Sequence, residues 1–248
     1  LRARLAAFND ALLASDPPIA GLDKSIVIDP RRVHLTLGVM CLEREDAISP
    51  VHAATDVNDA SNIDANPTSA TSGTASLPDS PPKKTIASAL ALLRSLAPQL
   101  MALGPARVDL DRLGVLKTQK GGREANVLWV GPRDEGDLVH QAFRRERYIT
   151  ETRPLKLHVT LLNTTHRKKP RRRLAFSYVD VLRAEAAMGV DIAMSPPPSA
   201  PLLSNTFTVP RTPIPIALGS YTVRAVHLCA MGSHGPDNEY VSVGGVEF

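Results

Sequence analysis

Two short stretches of the sequence share one alternating pattern. Residues 33–37 read Val-His-Leu-Thr-Leu, and residues 157–161 read Leu-His-Val-Thr-Leu. Because successive side chains of a β-strand point to opposite faces, this period of two predicts strands with one apolar face. The polar face of the two strands carries His34, Thr36, His158 and Thr160. Two such strands in one chain predict a pseudo-symmetric site, with two imidazoles and two hydroxyls in one cleft.

Two imidazoles that face one cleft are suited to general acid–base catalysis. A neutral ring accepts a proton from an attacking hydroxyl or water, and a protonated ring donates one to the leaving oxygen. Histidine is available in both forms near neutral pH. The threonine two residues along each strand can donate a hydrogen bond to a phosphate oxygen held between the rings. The set predicts chemistry at a phosphodiester that needs neither a metal nor another cofactor.

Other interpretations of these residues stay open. A metal site would need further ligands, and neither histidine has Asp, Glu or Cys at ligand spacing. A Ser-His-Asp site would need a nucleophile-elbow sequence, which is missing. Two of the seven histidines could also precede threonine by chance and pack in the core. The matching apolar flanks and the mirrored placement favour the catalytic pair.

The paired strands resemble those of the 2H phosphoesterase superfamily. Within it, residues 157–164 (LHVTLLNT) and 226–232 (VHLCAMG) are similar to the branch of activating signal cointegrator 1 complex subunit 1 and the A-kinase anchor protein 7 central domain. The resemblance implies an α+β, bilobal fold, with two antiparallel sheets and flanking helices around a central cleft. It also implies metal-independent phosphodiester or cyclic-phosphate chemistry on RNA-like ligands, or nucleotide binding.

The resemblance also implies residue roles and partners. It makes His34 and His158 the acid and the base, in an order left open, and it makes Thr36 and Thr160 the phosphate-binding residues. The expected ligand is RNA or a nucleotide with 2′,5′ or 2′,3′-cyclic phosphate linkages. A second hypothesis is a non-catalytic nucleotide- or RNA-binding module of a transcription coactivator or repair complex, and a third is a scaffold with a vestigial cleft. The expected location is the nucleus, the cytoplasm or both.

The remaining sequence is organised as one bilobal domain over residues 1–248. Apolar periodicity predicts helices over 1–15, 85–103, 134–148 and 177–188, and strands over 33–42, 106–117, 126–130, 155–163, 221–230 and 240–246. Small and polar residues over about 49–84 predict a disordered insertion. Prolines over about 194–215 predict an irregular excursion. The chain opens on a helical pattern, without the family's first strand, which indicates a fragment.

Composition limits the partners. The formal net charge of +4 is compatible with a polyanionic partner but does not require one. The sequence has no run of 18 apolar residues, so no membrane partner is expected. The domain on its own is predicted to be a monomer. The basic run Arg167 to Arg173 is a nuclear-import signal, an RNA-backbone patch or a solvated loop. Cys41 and Cys229 are predicted to be buried free thiols.

A few residues outside the motifs are weaker candidates. Lys156 and Arg153 are either phosphate contacts or solvated cations. Trp129 and Tyr148 either stack on a base or pack in the core. No catalytic role is expected for the other histidines, which are His52, His140, His166, His227 and His234.

Overall fold

The computed structural model describes residues 1–43, 83–133, 137–167, 174–184 and 212–248. Their helices are α1 (Arg2–Leu13), α2 (Ile86–Ser95), α3 (Ala97–Leu103), α4 (Leu138–Arg145) and α5 (Tyr178–Arg183). Their strands are β1 (Ala106–Asp109), β2 (Arg112–Leu116), β3 (Glu124–Ala125), β4 (Val127–Gly131), β5 (Val159–Asn163), β6 (Phe176–Ser177), β7 (Ile214–Pro215), β8 (Ser220–Val223), β9 (Ala225–Cys229) and β10 (Ser242–Glu247). The predicted insertion up to residue 82, and the Pro-rich stretch up to residue 211, lie outside the described residues.

All paired strands run antiparallel. The largest sheet has the order β5-β4-β2-β7, and two-stranded sheets join β1 to β8, β9 to β10 and β3 to β6. The predicted α+β class is confirmed. The strand predicted over 106–117 bends between β1 and β2, where Leu110 exchanges backbone hydrogen bonds with Leu218 and Gly219.

The buried apolar side chains form two clusters. The first core joins α1 and α5 to the four-stranded sheet, and it includes Leu5, Leu128 and Val181. The second core joins α2, α3 and α4 to β9 and β10, and it includes Leu93 and Phe143. The elements around each core are called a lobe, so that the first lobe contains the four-stranded sheet and the second contains β9 and β10.

The chain passes from one core to the other close to each motif. Leu35 packs against the first core, whereas Leu37 packs against the second. Further along the chain, just before and at the second motif, Ile149 belongs to the second core and Val159 belongs to the first. Both His-x-Thr segments therefore lie where the two lobes meet.

The first motif segment does not form the predicted strand over 33–42. None of the described strands pairs with it, and only Glu43, just beyond it, forms an isolated bridge with Thr85. The carbonyl of Leu37 instead accepts a hydrogen bond from Nδ1 of His140 on α4, at 2.6 Å. A side chain thus satisfies a backbone group that a neighbouring strand would otherwise satisfy. His140, for which the sequence predicted no catalytic role, is only 4% exposed.

The helix predicted over 85–103 is broken. α2 ends at Ser95 and α3 begins at Ala97, with a bend of 42° between them. Pro98 causes the break, because its ring removes a backbone N–H and clashes with the preceding turn of a continuous helix. No single described helix is long and apolar enough to cross a membrane. Among the described residues, only α2 and α3 taken together have the length and composition of a membrane span, and they are bent relative to each other. The leucines of this pair, among them Leu93 and Leu100, are buried in the second core.

The two cysteines differ from expectation in their exposure. Cys41 and Cys229 are free thiols, but both are exposed rather than buried. Cys229 ends β9, in a two-stranded sheet whose outer face has no described layer covering it, so alternation along the strand turns the thiol outward.

Gly114 on β2 lies so close to the indole of Trp129 that a larger side chain has no room there. It pairs with Trp129 on β4, and an ideal Cβ at position 114 would lie 2.4 Å from Cζ2 of the indole. Since Trp129 is only 2% exposed, the ring cannot move away freely. Gly114→Ala is expected to lower the free energy of unfolding by about 1–3 kcal/mol.

Urea unfolding measures this effect, with Gly235→Ala as the control. The three heavy atoms nearest to an ideal Cβ at position 235 all belong to the carboxylate of Glu239, the end of a flexible side chain. Equal unfolding midpoints for the two variants would contradict the packing argument.

Candidate functional site

The two motif histidines have the same local geometry. Nδ1 of His34 lies 2.8 Å from the carbonyl oxygen of Arg32, and Nδ1 of His158 lies 2.7 Å from that of Lys156. A carbonyl oxygen only accepts, so Nδ1 carries the proton in both rings. Nε2 is therefore the ring atom left available for a proton transfer in each motif.

A β-bulge shapes the second motif. Thr160 pairs with Trp129, Leu162 pairs with Leu128 and Asn163 pairs with Val127, so Leu161 is the extra residue. The bulge buries both adjacent leucines, which are 1% and 0% exposed. It also turns Asn163 to the same face as Thr160, although the two are three positions apart. A strict alternation would have placed them on opposite faces.

A cavity of about 100 Å³ lies between the two motifs. Its lining residues are Ile28, Arg32, Val33, His34, Thr160, Asn163, His166 and Tyr240. The structure therefore brings together His34 of the first motif and Thr160 of the second. Thr36 and His158 are not among the lining residues.

His158 and Thr36 do not line this cavity, although each lies two residues along the chain from a residue that does. The ring of His158 meets Trp129 edge-on, with centroids 6.1 Å apart, and Nζ of Lys156 lies 4.2 Å from the centroid of the same indole. Gly131 lets the second motif approach, because an ideal Cβ there would lie 2.5 Å from the carbonyl oxygen of Leu157. Thr36 is half-buried in the segment that crosses between the cores.

Arg32 joins the first motif to the turn between β9 and β10. Its Nη1 donates to the carbonyl oxygens of Ser233 and Asn238, both at 2.9 Å, and lies 3.0 Å from Nδ1 of His234. The guanidinium lies 4.1 Å from the ring centroid of Tyr240. That ring in turn packs edge-on against His34, with centroids 4.8 Å apart. Arg32 thereby positions both the turn and the catalytic candidate.

Asp29 strengthens the same connection. Its carboxylate accepts hydrogen bonds from the Arg31 amide and from Nδ2 of Asn238, each at 2.9 Å. The Arg31 amide, followed by the Asn238 side chain, holds the pKa of Asp29 below its ordinary value. The carboxylate therefore stays charged and keeps Asn238 in place at neutral pH.

The cavity wall is rich in hydrogen-bond donors. Its polar side chains are a guanidinium, two imidazoles, two hydroxyls and an amide, and no carboxylate is among the described lining residues. Such a wall suits a ligand group that only accepts hydrogen bonds, as a phosphate does. Within the described ranges, no three His, Cys, Asp or Glu side chains come together at a spacing that could hold a metal ion.

Four of the polar lining residues were not predicted as site residues from the sequence. They are Arg32, Asn163, His166 and Tyr240. Asn163 and His166 follow the second motif directly in the sequence, so an extension of that motif could have found them. Tyr240 comes from a distant turn and carries no local signal.

The weaker candidates have mostly structural contacts. Arg167, the described part of the basic run, is buried, pairs with Asp23 and donates to the carbonyl of Gly21. It is therefore neither solvated nor available to RNA, and residues 168–173 lie outside the described ranges. Arg153 pairs with Glu151 at 2.5 Å on the surface, and Tyr148 packs in the second core.

Loss of the Arg32 side-chain contacts is expected to loosen the β9–β10 turn. Arg32→Met keeps the length of the side chain but removes the donor that binds Ser233 and Asn238. Charge-assisted hydrogen bonds contribute about 1.5–3 kcal/mol each, so backbone amides over 232–241 should exchange hydrogen about tenfold faster or more. Hydrogen-exchange mass spectrometry measures this rate. Arg31→Met, at the exposed neighbouring position, should leave it unchanged, and equal exchange in both variants would contradict the proposed role of Arg32.

Comparison with known proteins places these observations in a family. No curated protein matches the chain. The family model described as AKAP7 2′5′ RNA ligase-like domain matches residues 1–248, the whole of the chain. The α+β fold with antiparallel sheets agrees with that match. The chain therefore belongs to the AKAP7 2′5′ RNA ligase-like domain family, within the 2H phosphoesterase superfamily.

Proposed function

We propose that the domain is a metal-independent phosphodiesterase or cyclic phosphodiesterase that acts on RNA-like or 2′,5′-linked nucleotides. His34 and His158 are the acid and the base, and Thr36 and Thr160 bind the phosphate. The observation that carries the proposal is the matched hydrogen bond from Nδ1 of each histidine to the carbonyl two residues before it. It leaves Nε2 of both rings to exchange protons with a ligand.

The proposed reaction is a hydrolysis. One neutral Nε2 takes a proton from water as the water oxygen bonds to phosphorus. The phosphorus–oxygen bond to the leaving group breaks, and the protonated Nε2 of the other ring gives its proton to that oxygen. Donors in the cavity wall, including the hydroxyl of Thr160, stabilise the charge that builds up on the phosphate oxygens.

The size of the cavity supports a phosphate as the bound group. Its volume of about 100 Å³ is below the roughly 300–1,000 Å³ of pockets that enclose drug-sized ligands. The sugar and the base would then lie outside it. Two strand residues span roughly 7 Å, so a phosphate at Thr160 is within reach of an imidazole two positions earlier, at His158.

Removal of either imidazole is expected to abolish most of the turnover. His34→Ala and His158→Ala should each lower kcat by about 10²- to 10⁴-fold, the usual contribution of a general acid or base. Hydrolysis of a 2′,3′-cyclic nucleotide and of a 2′,5′-linked dinucleotide provides the assays. His227→Ala is the control, because His227 is exposed on β9, outside both His-x-Thr motifs, and its ring contacts Ser242. Full activity of His158→Ala would refute the two-histidine mechanism.

The pH dependence and the effect of chelators test the same mechanism. One ring must be neutral and the other protonated, so kcat/KM should fall at both low and high pH. Each single histidine variant should lose one limb of this bell-shaped profile. Preincubation with EDTA should leave the rate unchanged. A rate that EDTA abolishes and that Mg²⁺ or Zn²⁺ restores would contradict the metal-independent reaction.

A nucleotide- or RNA-binding module without turnover is the second candidate. The observation that favours it is the lining set of the cavity, which contains His34 and Thr160 but not His158 or Thr36. This module would capture a phosphate end for a transcription coactivator or repair complex in the nucleus. Binding of AMP without product in a single-turnover experiment would distinguish it from the enzyme.

A further inference from the structure

The side-chain amide of Asn163 has a defined orientation. Its Oδ1 accepts hydrogen bonds from the backbone N–H of Thr165 at 3.0 Å and from the hydroxyl of Thr165 at 2.8 Å. These contacts cap the short 3₁₀ turn Thr164–His166 that follows β5. Because the oxygen is held by the turn, Nδ2 is the free end of the amide. It forms no hydrogen bond within the part of the chain that the structure describes.

This free end belongs to the cavity wall. Asn163 is half-buried and lines the cavity together with Thr160, because the bulge at Leu161 turns both to one face of β5. An amide nitrogen only donates hydrogen bonds, so its partner must be an acceptor. The surrounding polar side chains can also donate hydrogen bonds and none of them is a carboxylate, which favours an anionic acceptor such as phosphate over a hydroxyl.

From this arrangement we infer that Asn163 is a third phosphate-binding residue of the site, beside Thr36 and Thr160. Its Nδ2 donates to a non-bridging oxygen of the phosphate that Thr160 contacts. The inference rests on the proposed function for the identity of the bound group, but it requires binding only and not turnover.

Asn163→Asp tests the inference with the smallest possible change. Aspartate caps a turn as well as asparagine does, so the bonds to Thr165 and the fold are retained. The substitution replaces the Nδ2 donor by a charged oxygen that repels phosphate. The dissociation constant of AMP, measured by calorimetry, should rise by about tenfold or more, which corresponds to the loss of one charge-assisted hydrogen bond.

Two controls separate this effect from other causes. Gln99→Glu makes the same change in net charge at an exposed position of α3 and should leave AMP binding unchanged. Asn163→Ser keeps a capping oxygen and removes Nδ2 without adding charge, so it should weaken AMP binding less than Asn163→Asp does. Adenosine, which lacks the phosphate, should bind the wild type and Asn163→Asp equally.

The outcomes also separate the inference from the proposed function. Wild-type AMP affinity in both Asn163 variants would overturn the inference, whether or not the protein turns over a cyclic nucleotide. An equal loss of adenosine and AMP binding in Asn163→Asp would overturn it too, since the effect would then be independent of the phosphate. Phosphate-dependent loss of binding in a protein without any turnover would support the inference and refute the enzyme.

Discussion

The hydrogen bonds of the Arg32 guanidinium connect the two ends of the chain at the site. Arg32 lies two residues before the first motif histidine, and its acceptors lie in the last turn, between β9 and β10. The same side chain packs on Tyr240, and Tyr240 packs on His34. The planar guanidinium can donate hydrogen bonds to the turn and pack on the ring of Tyr240 at the same time. A lysine ammonium has neither a flat face nor several donors in a fixed planar arrangement. The wall of the cavity formed by Arg32, His34 and Tyr240 depends on this contact.

The sequence predicted the lobes better than it predicted the cavity. Periodicity located α1, α4 and α5 and most of the strands, because burial of one face is a local property that apolar spacing records. It failed at residues 33–42, where alternation is present but the described strands offer no ladder partner. It also failed at 85–103, since the apolar stripe continues through Pro98 while the backbone cannot.

The composition of the candidate site depends on features that periodicity does not record. A period of two places Thr160 and Asn163 on opposite faces, and only the bulge at Leu161 brings them together. The two consecutive leucines of the second motif are the local cause, because both are buried and strict alternation can bury only one. Tyr240 enters through tertiary contact with Arg32. The motifs themselves indicated which segments meet, and His34 and Thr160 line one cavity.

The two halves of the site are held by different means, which makes them unequal in stiffness. Thr160 lies on a strand that pairs with β4 along most of its length, so many backbone hydrogen bonds resist its displacement. Thr36 lies on a segment that pairs with none of the described strands. The carbonyl of the next residue, Leu37, accepts a hydrogen bond from the imidazole of His140. A phosphate bound as proposed by both Thr36 and Thr160 would contact a strand fixed by ladder hydrogen bonds on one side and a segment with fewer backbone hydrogen bonds on the other. We therefore expect substitutions in the second core, against which Leu37 packs, to alter affinity without touching the ligand.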